Sequence, residues 1–148
     1  IRKFADIPEQ FTLAVSLHSA IQSTRNKLMP GVKKYTLLRL HEALQLYTEK
    51  TGRRPTYEYA MIEGVNDTNP EMQALCDFCE GTLCHVNLIQ LNDIEGSPLK
   101  PSPIHKVEDL QRRLESRGIE TTIRNSRGND IDAACGQLKQ RFTVQKNA

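Results

Sequence analysis

Short apolar runs alternate along this chain with stretches in which apolar residues recur every three or four positions. The run at 11–18 (Phe-Thr-Leu-Ala-Val-Ser-Leu-His) ends in polar groups and is typical of a buried parallel strand. The residues of 55–62, 83–91 and 119–124 predict three further strands. Four strands are therefore expected, with helices between them.

Three amphipathic helices are predicted between the strands. Their apolar stripes lie at Leu37, Leu40, Leu44 and Tyr47, then Met72, Leu75, Cys76 and Cys79, then Ile104, Val107, Leu110 and Leu114. The first helix ends near Gly52 and the second, within 70–80, at Gly81. The third is predicted to begin with Ser102 as N-cap and Pro103 in the first helical position.

This strand–helix alternation predicts parallel strands joined by right-handed crossovers. Three βα units and one extra strand cannot close a barrel of eight strands. The predicted fold class is therefore α/β, a partial TIM-like (βα) barrel. Such an open sheet leaves an unpaired edge through which the chain could dimerise.

The composition is typical of a soluble globular protein. Of 148 residues, 38% are hydrophobic and 26% are charged. No apolar run reaches the roughly 18–20 residues that cross a bilayer, and no leader is visible. We expect a cytoplasmic protein with no membrane partner. Because the chain begins with Ile1 and not with Met, we also expect it to be part of a longer protein.

The charge is unevenly distributed. The net charge is +2, while the segment from Lys100 to Ala148 holds ten Lys or Arg and six Asp or Glu, so the first 99 residues are net −2. A basic C-terminal third could contact phosphates or could simply be a solvated surface, and both interpretations stay open.

Two of the four cysteines have the spacing Cys76-x-x-Cys79. That spacing occurs in metal sites and redox pairs, but here both residues fall on the apolar stripe of a predicted helix. Cysteine often behaves as a small buried hydrophobe, and no second C-x-x-C completes a four-thiolate site. Core packing is the favoured interpretation, with a thiol–disulfide redox domain as the alternative.

A third candidate is Cys135, which lies between Ala134 and Gly136 and follows Arg124 and Arg127. Small neighbours leave its sulfur open, and nearby positive charge favours the thiolate, so a nucleophilic role is possible chemically. A small buried cysteine in a polar connector is the alternative. These residues alone leave both open.

The stretch 124–138 resembles the C-terminal signature R-x-x-R-G-D-D-I-D-A-A-C-G-Q-L of the RlmN/Cfr family of radical S-adenosylmethionine (SAM) RNA methyltransferases, with Asn129 in place of Asp. Further segments match family motifs in the same order: 13–18, 28–30, 34–35, 56–59, 64–67, 84–89 and 96–98. Departures occur at 19–21, Gln90 and Asp93. The resemblance thus covers nearly the whole chain.

The resemblance implies that residues 1–148 are the C-terminal half of a radical SAM domain. Within it, 11–124 would hold the βα units, 125–138 the reactive-cysteine loop and 139–148 a tail. The family's C-x-x-x-C-x-x-C loop, which holds a 4Fe-4S cluster, and its Gly-Gly-Glu-Pro motif do not occur in this chain. We therefore expect no metal site here and no activity of the chain alone.

Site residues follow from the same resemblance. Ser16, Leu17, His18 and Asn92 would contact SAM. Without the family, Ser16 would be a strand hydroxyl bonded to its neighbour, His18 a loop-capping histidine and Asn92 a turn residue. Cys135 would take a methyl group from one SAM as an S-methylcysteine intermediate, and a second, cluster-bound SAM would be cleaved to a radical. Arg124 and Arg127 would contact RNA or line the surface.

The implied activity is methylation of adenine C2 in 23S rRNA, with tRNA as a further substrate and an electron donor as partner for the cluster. A Cfr-like enzyme directed to C8 is the alternative within the family. A non-catalytic RNA-binding α/β module and the thiol–disulfide redox domain are the alternatives outside it.

Overall fold

A computed structural model of the chain describes residues 1–93 and 96–124. Four parallel strands form one sheet in the order β1-β2-β3-β4. The strands are β1 (Ala14–Ser16), β2 (Thr56–Met61), β3 (His85–Gln90) and β4 (Glu120–Arg124). Because each strand pairs with the next one along the chain and runs parallel to it, every connection is a crossover. The predicted α/β class is confirmed.

Helices fill these crossovers. They are α1 (Gln22–Leu28), α2 (Leu37–Thr51), α3 (Asn69–Cys79) and α4 (Ile104–Glu115), with a short 3-10 helix at Pro30–Val32; a second 3-10 helix, Arg2–Asp6, precedes β1. The Thr36 hydroxyl accepts a hydrogen bond from the Arg39 N–H, which caps the start of α2. Gly52 ends α2 in the left-handed conformation (φ 66°), as the sequence predicted.

The core lies between one face of the sheet and these helices. Its largest fully buried side chains include Tyr47, Tyr57, Tyr59, Met61, Leu75, Val86, Leu88, Leu110 and Leu114. Alternate residues of β2 and β3 point into it, as expected for strands with one covered face. Cys76 and Cys79 are also fully buried in this core, which confirms the packing interpretation of the C-x-x-C spacing.

Two local predictions were wrong. Strand β1 has three residues instead of 11–18, because the N–H groups of Leu17 and His18 both donate to the Glu58 carbonyl and the ladder ends there. Ser102 is not the N-cap of α4. That position is taken by Pro103, and the Ser102 hydroxyl donates instead to the buried Asp67 carboxylate, at 2.6 Å.

Candidate functional site at the carboxyl edge of the sheet

The sheet face opposite the core is polar and partly exposed. Ser16, Glu58, Asn87 and Thr122 stand side by side in register across the four strands, and we call them the inner polar row. The Asn87 amide donates to Glu58 Oε2 at 3.0 Å, and the Thr122 hydroxyl donates to Asn87 Oδ1 at 3.2 Å. These bonds fix the orientation of the Glu58 carboxylate, one oxygen of which has no partner among the described residues.

His18 lies two residues beyond β1, in the left-handed conformation (φ 55°). Its Nδ1 accepts a hydrogen bond from the Ala60 N–H at 3.1 Å, so the neutral ring carries its proton on Nε2. Burial, and after it the positive charge of Arg25, hold the pKa of His18 below its ordinary value. At neutral pH this side chain is therefore an uncharged N–H donor at the carboxyl edge.

The buried side chain of Asn66 holds His18 in this position. Its amide donates to the carbonyls of His18 and Ala60, both at 2.7 Å, and its Oδ1 accepts from the Ile62 N–H at 2.7 Å. The Tyr59 hydroxyl donates to the Asn66 carbonyl at 2.9 Å. The loop after β2 is thereby tied to the end of β1. Sequence reasoning assigned this loop no function, although Gly64-Val-Asn-Asp67 matched a family motif.

Asp67, the next residue, ties the same loop to α4. Its carboxylate accepts from the Gly64 N–H at 2.8 Å, from Ser102 at 2.6 Å and from Lys106 at 3.0 Å. Burial raises the pKa of Asp67, but these three hydrogen bonds and the charge of Lys106 outweigh it, so the pKa lies below its usual value. The carboxylate is thus ionised and fully bonded, and its role is to hold the loop.

The predicted SAM residues occupy one end of the sheet. Ser16 is exposed on the inner polar row, and Asn92 is half-buried two residues after β3. Strands β1 and β3 flank β2, so Ser16 lies about 10 Å from Asn87, with which it is in register through Glu58, while Asn92 lies five residues further along the chain. The side chain of Leu17 is 0% exposed, so only its main chain could contact a ligand.

Of the residues predicted to act on RNA, Arg124 is exposed at the carboxyl end of β4, in register with Ile89. Cys135 and Arg127 lie outside the described residues. Their predicted roles therefore stay predictions, and so does the division of the chain at residue 125.

An iron–sulfur cluster finds no ligand set in the described part of the chain. Within 1–93 and 96–124, no three His, Cys, Asp or Glu side chains are grouped as a metal site. Cys76, Cys79 and Cys84 are buried in or under the core, away from the carboxyl edge, and burial raises the pKa of Cys76. A buried thiol with a raised pKa is a poor ligand and a poor nucleophile, whereas the hydrogen bond with the buried Cys79 thiol lowers the pKa of Cys84. In the same ranges, no helix is both long and apolar enough to span a membrane.

Comparison with known proteins finds relatives that match most of this chain. No family model matches the chain. It is 42% identical over 146 residues to a protein of Clostridium perfringens (strain 13) named probable dual-specificity RNA methyltransferase RlmN, covering 99% of this chain and 42% of that protein. It is 45% identical over 138 residues to the protein of the same name from Flavobacterium psychrophilum, covering 93% and 40%.

Solved structures agree. A radical SAM methyltransferase from Sphaerobacter thermophilus superposes with a TM-score of 0.86 at 41% identity, covering 92% of this chain and 40% of that one. A domain of pyruvate-formate lyase-activating enzyme from Bacteroides vulgatus, with a TM-score of 0.61 and 16% identity, shares the fold alone. The chain spans about two fifths of the length of the curated relatives that it matches. As its motifs predicted, the chain is a homologue of the RlmN-type radical SAM methyltransferases over that part of their length.

Proposed function

We propose that this chain is the C-terminal segment of a radical SAM methyltransferase acting on adenine in RNA, and that the carboxyl edge of its sheet binds SAM. The observation that carries the proposal is a neutral imidazole donor and an exposed hydroxyl at the carboxyl end of β1, next to the inner polar row, in a parallel sheet of the kind that binds ligands at its carboxyl ends. The identity of 42% to RlmN proteins supports it.

The donor set suits the polar parts of SAM. The His18 Nε2–H and the Ser16 hydroxyl can donate to its carboxylate or ribose oxygens, and the free oxygen of Glu58 can accept from its ammonium or a ribose hydroxyl. The main chain of Leu17 and the amide of Asn92 complete the edge. Because Asn66 and Ala60 fix His18 before any ligand arrives, binding would cost little ordering entropy.

In this proposal Cys135 is the residue that carries the methyl group. Its thiolate attacks the methyl carbon of SAM, the new S–CH₃ bond forms as the sulfonium S–CH₃ bond breaks, and S-adenosylhomocysteine leaves. A 4Fe-4S cluster, when bound, would supply reductive cleavage of a second SAM, and the described residues offer it no ligands. We infer adenine C2 of rRNA as the target, with tRNA as a further substrate and C8 as the alternative.

Methyl transfer to protein tests the cysteine assignment. The full-length protein that carries this chain is incubated with methyl-labelled SAM, and peptide mass spectrometry is expected to find one added methyl on Cys135. Cys135→Ala should lose it, and Cys76→Ala, which removes a buried thiol, should keep it. Label on another residue would contradict the assignment. The 148-residue chain alone is expected to give no methylated RNA.

SAM affinity tests the edge. In the full-length protein, Ser16→Ala and His18→Ala should each weaken binding about two- to tenfold, the worth of one hydrogen bond. The control Ser116→Ala removes a hydroxyl at the end of α4, beyond the opposite end of the sheet, and should leave SAM affinity unchanged. Binding of RNA with no binding of SAM would favour the non-catalytic RNA-binding module instead.

A further inference from the structure

The segment from Gln10 to His41, which runs from before β1 into α2, contains five Lys or Arg and no Asp or Glu. The rest of the chain has fifteen Lys or Arg and eighteen Asp or Glu. All the charged residues of this segment are therefore positive, and they lie in the connection that follows the first strand, on the side of the sheet where its carboxyl ends lie.

The exposed cations of this connection also have no carboxylate partner among the described residues. Lys27, Lys33, Lys34 and Arg39 are exposed, and none makes an ion pair in the part of the chain that the structure describes. The basic residues of the C-terminal third, for which phosphate contacts and a solvated surface were both left open, behave differently. Five of them do pair with carboxylates of the chain: Lys100, Lys106, Arg112, Arg113 and Arg117.

Two partly buried hydrogen bonds hold this connection together as one unit. The Arg25 guanidinium donates to the Tyr35 carbonyl at 3.2 Å, and the Leu37 N–H donates to the Gln22 side chain at 2.6 Å, which joins α1 to the start of α2. Arg25 is buried and has no carboxylate partner among the described residues. Its charge therefore adds to the positive potential of the surface above it.

An aromatic ring lies among these cations. Tyr35 is 52% exposed, and the Lys34 ammonium lies 5.1 Å from the centre of its ring. An exposed ring beside lysines is the combination with which proteins hold single-stranded nucleic acids, since bases stack on the ring while the cations bind phosphates. A double helix keeps its bases stacked and would leave the ring unused.

The connection also borders the candidate site. It starts just beyond β1, at His18, and the positive charge of Arg25 helps to lower the pKa of that imidazole. We propose that Lys27, Lys33, Lys34, Tyr35 and Arg39 form an RNA-binding surface, the β1–α2 basic surface, which holds a single-stranded segment of the substrate beside the SAM site. This inference rests on the proposed function in that RNA is the substrate.

The strength of such contacts sets the size of the expected effects. For single strands, each phosphate neutralised contributes about 0.7 to the slope of log affinity against log salt, which corresponds to about fourfold in affinity at 0.15 M salt. Loss of two lysines should therefore weaken binding about fifteenfold and reduce the slope by about 1.4. Loss of one stacked ring should weaken binding at least about fivefold, whatever the salt concentration.

The test uses the full-length protein that carries this chain and a fluorescent single-stranded RNA, with anisotropy read at several salt concentrations. The double variant Lys33→Gln, Lys34→Gln should bind the RNA about fifteenfold more weakly and reduce the salt slope by about 1.4, as expected for two lost phosphate contacts. Tyr35→Ala should lose affinity for the single strand but not for a duplex of the same length. The control, Lys50→Gln with Arg54→Gln, removes the same charge from ion-paired residues at the opposite end of the sheet and should bind nearly as the wild type does.

Equal affinity and salt slope in wild type and the Lys33/Lys34 variant would overturn the proposal, as would an equal loss in the Lys50/Arg54 control. A wild type that binds anionic lipid vesicles but not RNA would overturn it too. Methylation by the same preparations separates the two proposals. If the wild type methylates RNA and the Lys33/Lys34 and Tyr35 variants have the same KM for RNA, only the proposal of the β1–α2 basic surface is refuted. If RNA binds through this surface but is not methylated, only the proposed methyltransferase activity is refuted.

Discussion

The two faces of the sheet differ in what surrounds their side chains. On β3, Leu88 points into the core and is 0% exposed, while its neighbour Asn87 points to the other face and exchanges hydrogen bonds with Glu58 and Thr122. The first face excludes water and stabilises the fold. The second has polar atoms in a fixed arrangement but little packing, so it is available for a ligand.

The largest expected effect is a loss of stability when Leu88 is truncated, compared with truncation of its neighbour Asn87 on the same strand. Leu88→Ala should lower the free energy of unfolding by about 3–4 kcal/mol, because it removes buried methyl groups and leaves a cavity. Asn87→Ala should lower it by less than about 1 kcal/mol, since the groups it leaves unpaired are reached by water. Urea unfolding of both variants measures the difference. Equal losses of unfolding free energy would mean that the sheet face with the inner polar row stabilises the fold as much as the core does.

The two faces of the sheet also explain which features of the structure could be predicted from the sequence. The buried stripes at Leu44, Leu75 and Leu110 follow from periodicity, because a packed face requires apolar residues at fixed spacing. The inner polar row does not, because its members lie on four strands and only the register brings them together. Nor could spacing show that Asn66 would reach back to His18, forty-eight residues earlier.

Helix α1 and the 3-10 helix at Pro30–Val32 were missed for a related reason. Their stretch contains few apolar residues, and it is held by contacts with polar partners, such as Arg25 with the Tyr35 carbonyl. A polar segment ordered by its own hydrogen bonds has no hydrophobic period to detect. The candidate site residues came from family motifs, and their geometry came from the structure.

Asn66 joins the two faces, since it is buried yet holds the edge on which the site depends. Asn66→Ala should lower the free energy of unfolding by about 2–4 kcal/mol, because the carbonyls of His18 and Ala60 and the N–H of Ile62 lose their partner. SAM affinity should fall as well, measured at a temperature where the variant is folded.

The matched control is Asn69→Ala, whose exposed side chain accepts a hydrogen bond from Arg113. This change should cost no more than about 0.5 kcal/mol and leave SAM affinity as it was. If the Asn66 variant instead unfolded at the same urea concentration as the Asn69 variant, the loop after β2 would not be what holds the edge.

The smallest expected effect is the pH dependence of His18. Its pKa is lowered in the folded protein, so the unfolded chain takes up a proton first as the pH falls through about 6.5. Stability linked to this residue is therefore complete above that pH and is lost between it and the folded pKa. His18→Asn keeps an acceptor for the Ala60 N–H and does not titrate. Urea unfolding from pH 8 to pH 5 should show the wild type losing stability relative to this variant, while the other three histidines, present in both proteins, contribute equally. If the unfolding free energies of the two proteins instead changed in parallel with pH, His18 Nδ1 would not accept the hydrogen bond from the Ala60 N–H. A proton on Nδ1 must break that bond and release the ring from the edge of the sheet.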